Sequence, residues 1–167
     1  TGLIEIQARQ SQLLVKQAEL TPAWRKSMSA THDAQHLDKL TSALHLFDWT
    51  IQNIRLEGKN WDAQLPQETR AAENGGVWPP PGAELSVWRA LLLGRGDAAT
   101  RAKVFASLAR QQGIDVVVLG VKRSMNESPR MWAAGALIGD EVYLFEPELG
   151  LVFRGKDDGT ATLKAVA

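Results

Sequence analysis

The chain has 167 residues, 44% of them hydrophobic, which suits one globular domain with a small appended subdomain. Nineteen basic residues balance nineteen acidic ones, so no net field draws nucleic acid or an anionic membrane, and no apolar run approaches the ~20 residues of a membrane span. Cysteine is absent, which excludes disulfides, thiolate nucleophiles and Cys-ligated zinc while leaving the cellular compartment open.

The chain begins at Thr1 rather than a methionine, so a processed or trimmed N-terminus is expected. From Leu3 to Leu20, Ile4, Ile6, Leu13, Leu14, Val15 and Ala18 are mixed with Gln, Lys and Glu, a helical pattern that Thr21-Pro22 stops and restarts. Leu37, Leu40, Leu44, Phe47, Ile51 and Ile54 recur at spacings of three and four, an apolar stripe on an amphipathic helix facing a core. Residues 1–57 thus read as an N-terminal helical subdomain.

Periodicity vanishes over residues 58–83, which end in Gly75-Gly76-Val77-Trp78-Pro79-Pro80-Pro81-Gly82. Proline fixes φ and removes amide donors, so a loop with a short polyproline segment is expected, and its length suits a binding loop, a lid or a linker. Trp61 and Trp78 in this loop either clamp it onto the domain or line a groove, whereas Trp49 and Trp88 on helices read as core or semi-core residues.

Leu85 to Leu93 suits a short helix broken by Gly94 and Gly96. Asp97 can cap the next helix, which buries Ala98, Ala102, Phe105 and Ala109, with Val104 and Leu108 beside them, before the C-terminal glycine Gly113. Arg95-Gly96-Asp97 spells an adhesion tripeptide, but it falls where the chain needs a turn and a cap. Ile114 to Val121 lacks polar alternation after Asp115 and reads as a central strand covered on both faces. Met131 to Ile138 and Glu141 to Phe145 flank Gly139-Asp140 and form a hairpin, which Glu146-Pro147 ends. Leu151 to Phe153 adds a short strand, and Ala161 onward opens another helix. Residues 84–155 form the core unit and 156–167 a tail expected to lead into a further region. The fold class is α+β.

The run Phe105, Leu108, Arg110, Gly113, Ile114 resembles the F-x-x-L-x-R-x-x-G-I run of the transglutaminase-like, papain-related superfamily, and the resemblance covers roughly residues 85–150. It implies a helix packed on a small antiparallel sheet, a cysteine at the helix N-terminus, and a histidine and an aspartate from adjacent strands. Here the nucleophile position is Ala98, and the family's Asp-Pro is matched by Glu146-Pro147. Aligning Trp132 with the family's His-x-Trp puts Arg130 at the histidine position, whereas counting back from Gly139-Asp140 puts Met131 there. Neither a guanidinium nor a thioether is a useful base, and a methyl group cannot attack a carbonyl.

His32, His36 and His45 all precede residue 46, so no histidine serves as a base downstream, and the hydroxyls of Ser124 and Ser128, around Asn126, lack an activator. His32 and His36 are four apart but bracket a helix start with no third partner of obvious spacing, so solvated helix-end histidines are expected rather than a metal site. Glu146 is either a solvated strand-end acid or a partner of Arg130. The expectation is a catalytically inactive module, with no catalytic residue, metal or cofactor, that holds a peptide or protein partner in a cleft near Trp78, Asp97 and Trp132 or serves architecture. The alternative is a hydrolase or transferase using Asp97 and Glu146, with Asp140 further out. The resemblance also suggests a bacterial protein of the exported or envelope class.

Overall fold

The computed structural model describes residues 22–57, 85–122, 124–155 and 160–166, so the expected helix at 3–20, the loop at 58–83 with Trp61 and Trp78, and part of the tail lie outside the described residues. Helix α1 (Pro22–Ser29) leads through a turn into the long helix α2 (Ala34–Asn53). Asp33 caps α2 with its carboxylate, which accepts from the His36 amide at 2.7 Å. Leu40, Ala43, Leu46, Phe47 and Thr50 form the buried face, with Leu37, Leu44 and Ile51 packed along its margins. Thr50 is tolerated there because its hydroxyl donates to Leu46 O at 2.8 Å.

A two-residue strand β1 (Arg55–Leu56) then pairs in parallel with β2 (Arg95–Gly96), which follows helix α3 (Val87–Leu93). The Arg-Gly-Asp tripeptide is therefore strand and cap. Asp97 accepts from the Thr100 amide at 2.8 Å and opens helix α4 (Ala98–Gln111). A Cβ on Gly96 would lie 2.6 Å from Thr100 Cγ2, so only glycine lets this strand run against the helix start. Trp88, expected in or near the core, is 52% exposed on α3.

Four strands form one antiparallel sheet in the order β3 (Asp115–Val121), β4 (Arg130–Ile138), β5 (Glu141–Glu146), β6 (Leu151–Val152). The β4–β5 hairpin turns at Gly139-Asp140, with Gly139 at φ 59°. Alternation on the core face pairs Ala134 with Phe145, Ala136 with Tyr143 and Ile138 with Glu141. The two alanines leave room for α2 and α4, whose Phe47 and Phe105 meet Phe145 with ring centroids 5.0–5.4 Å apart. The chain is α+β: helices pack on a small antiparallel sheet, with the parallel β1–β2 pair beside it.

The strand expected at the sheet centre is an edge. Among the described residues β3 pairs only with β4, and Val117, Val118 and Val121 are exposed. Continuous apolar sequence reports that two faces favour apolar side chains; it does not report how many neighbours the backbone has.

A bulge interrupts the β3–β4 ladder: Leu119 pairs with Ala133 and Gly120 with Met131, leaving Trp132 as the extra residue.

Candidate functional site

Of the positions singled out from the sequence, Asp97 and Ala98 at the start of α4 lie near Glu146 at the end of β5. Ala98 is the first residue of α4 and is half-buried. Arg101, one turn on, is buried and donates from Nε to Ile54 O at 2.7 Å and from Nη1 to Pro147 O at 3.0 Å. The start of α4 is thereby tied to the Glu146-Pro147 segment. Glu146 itself folds over the turn that follows, its carboxylate accepting from the amides of Glu148 (3.0 Å) and Leu149. The Asp97 carboxylate holds both the amide and, at 2.7 Å, the hydroxyl of Thr100.

Arg130 and Glu146 form no ion pair. The ladder sets Glu146 one step beyond the Ala134–Phe145 pair, whereas exposed Arg130 lies about 10 Å further along β4 at the usual rise of a strand. Met131 packs against the core cluster, and Trp132 rests against Phe153 with ring centroids 5.6 Å apart. Ser124, Asn126 and Ser128 are exposed in the segment between β3 and β4, and Asp140 is exposed in the hairpin turn. Trp78 lies outside the described residues.

Among the described residues, a polar cluster lies at the opposite end of the sheet, formed around histidines that the sequence predicts to be solvated. His32, in the turn before α2, and His36, in its first turn, stack with ring centroids 4.3 Å apart. Glu141 and Tyr143, two apart on β5, project from the same face of the sheet toward them. Glu141 Oε2 is 3.0 Å from His32 Nε2 and 3.8 Å from His36 Nε2. The Tyr143 hydroxyl donates to Glu141 Oε2 at 2.5 Å and lies 2.8 Å from His36 Nε2 and 3.3 Å from His32 Nε2. The side chains of His32, His36 and Glu141 are 18%, 14% and 33% exposed, so the cluster is mostly enclosed yet reaches solvent.

Each group is held in place. His32 Nδ1 lies 3.2 Å from Met28 O and 2.7 Å from Thr31 Oγ1, so one ring nitrogen is anchored beside the end of α1 while Nε2 faces the Glu141 carboxylate. His36 Nδ1 sits over the hairpin turn, 3.3 Å from where a Cβ on Gly139 would lie. Burial, and next the charge of His32, lower the His36 pKa and favour neutral imidazole. Burial alone would raise Glu141, but hydrogen bonds from Tyr143 and His32 and the charge of both imidazoles outweigh it and hold the carboxyl below its ordinary value. Burial, then the hydrogen bond to Glu141 and its charge, push Tyr143 well above the ordinary phenol value, so it stays a neutral donor.

Two imidazole nitrogens and one carboxylate oxygen within 4.8 Å of one another are a donor set able to hold a divalent metal. Spacing along the chain could not show it, because Glu141 follows His32 by 109 residues. The legible half was the His-x-x-x-His pair next to a capping aspartate; the other half was Glu-x-Tyr at the start of a hairpin strand.

No family model, curated protein or solved structure matches this chain.

Proposed function

We propose that this chain is a non-enzymatic module of transglutaminase-like layout that holds an extended peptide or protein segment. The order helix, strand, hairpin, with Ala98 opening the helix, supports the resemblance. At the nucleophile position stands a methyl group, and the two carboxylates that acid–base chemistry would need are engaged with amides of their own turns.

The observation that carries the binding role is β3. It has the composition of a strand covered on both sides, yet among the described residues it lies at the sheet edge, with Val118 52% and Val121 50% exposed. An edge strand offers a row of backbone donors and acceptors, and an added strand would satisfy them while covering these valines. These features favour a binding surface along β3 over a cleft beside Ala98, where Arg101 already joins the helix to the β5 end.

The test is selection of linear peptides from a random displayed library against the full chain, followed by hydrogen-exchange mapping. Selected peptides are expected to slow exchange over 115–121 and to bind at least about tenfold more weakly, a loss of ~1.4 kcal/mol, to Val118→Lys and Val121→Lys. Peptides that protect another surface, or that bind both variants like the parent, would sink the reading.

A further inference from the structure

We infer that His32, His36 and Glu141 form a zinc site that fastens the start of α2 to the tip of the β4–β5 hairpin. The ligands are His32 Nε2, His36 Nε2 and the Glu141 carboxylate, with the fourth position left to water. Neutral imidazoles and a carboxylate are the nitrogen and oxygen donors that zinc accepts, and its bonds to them run about 2.0–2.2 Å. A tetrahedron of that size separates its ligand atoms by roughly 3.3–3.6 Å. The two carboxylate–imidazole distances, 3.0 and 3.8 Å, straddle this value, and all three ligand atoms lie within 4.8 Å of one another.

The surrounding contacts are those a metal site uses to fix its ligands. With zinc on Nε2, the other ring nitrogen of His32 would donate to Met28 O, 3.2 Å away, which orients the imidazole and raises its basicity at Nε2. Tyr143 donates to Glu141 and keeps its proton, so the phenol positions the carboxylate. The zinc role goes beyond strand addition at β3 and does not depend on it, since Glu141 begins β5 and the two histidines lie at the start of α2.

The ion would act as a cross-link between segments 109 residues apart in sequence, contributing to the native state and absent from the unfolded chain. It would do so without any step of chemistry on a substrate.

The test uses the full chain stripped with a chelator and titrated with zinc chloride by calorimetry, with Tm followed in parallel. One zinc per chain is expected, with Tm rising by roughly 5–10 °C at a hundredfold excess over Kd. Glu141→Gln and His36→Gln should each lose about a hundredfold or more in affinity, whereas His45→Gln, away from the cluster, should bind like the parent. Tyr143→Phe should keep the 1:1 stoichiometry with roughly tenfold weaker binding, which tests the site even if a ligand variant fails to fold. Cobalt in place of zinc should give the visible absorption of a tetrahedral centre, abolished on adding zinc. Absence of stoichiometric binding to the parent, or equal affinity in Glu141→Gln, His36→Gln and Tyr143→Phe, would overturn the assignment.

Discussion

His45 contrasts with the two histidines of the cluster. It lies on α2, half-buried, with Nε2 enclosed and without a hydrogen-bond partner. Burial lowers its pKa, and the charge of Asp48 only partly opposes this. In the native state the imidazole therefore stays neutral below the pH at which an unfolded histidine, near 6.5, takes up its proton. Between those two values the unfolded chain binds more protons, so stability rises with pH and is lost as pH falls below about 6.5. His36, lowered in the same direction, adds to this loss. Urea midpoints measured from pH 7.5 down to about pH 5 with chelator present should fall for the parent and fall less steeply for His45→Leu. Parallel curves would show that His45 is not buried as described. Composition could not separate these three histidines: all lie within fourteen residues on one helix and its approach, and what distinguishes them is whether β5 supplies an acid or nothing.

Between elements, the decisive residue is Arg101. Its guanidinium joins α4 to the end of α2 through Ile54 O and to the turn after β5 through Pro147 O. Burial disfavours its charge and lowers its pKa, with Glu146 the main opposing influence. Replacing it with methionine fills similar space but leaves two backbone carbonyls without their donor, at a cost of about 3 kcal/mol by urea denaturation. Lysine keeps the charge but lacks the forked geometry and should recover less than half of that loss. A midpoint unchanged in Arg101→Met would mean that the guanidinium is not what joins these elements. Nothing in the sequence marked Arg101 as a core residue, since its neighbours Ala102 and Phe105 carry the helical apolar stripe and a charged side chain is ordinarily assigned to solvent. The helix caps and the hairpin were legible, because Asp97, Gly113 and Gly139 each do something that few other residues can do: accept from free amides or adopt positive φ. The edge position of β3 was not, because strand order depends on which partners the chain brings alongside.

Across the molecule, the sheet connects three separate regions: the β3 edge, the Arg101 junction at the end of β5, and the His-Glu-Tyr cluster at its beginning. Glu146 lies five steps along β5 from Glu141, roughly 17 Å at the rise of a strand, and no side chain is shared between the cluster and the junction. Sites more than about 7–10 Å apart without common partners have effects that add. The double variant Arg101→Met, Glu141→Gln should therefore lose stability, in chelator, by the sum of the single losses within about 0.5 kcal/mol. With zinc present the same comparison becomes more informative. Only variants that keep Glu141 should gain Tm on adding the ion, and Arg101→Met should gain as much as the parent, because the weakened junction lies at the far end of the strand. A smaller gain in Arg101→Met would mean that β5 transmits the change at one end to the ligands at the other, making the strand a coupling element instead of a passive scaffold.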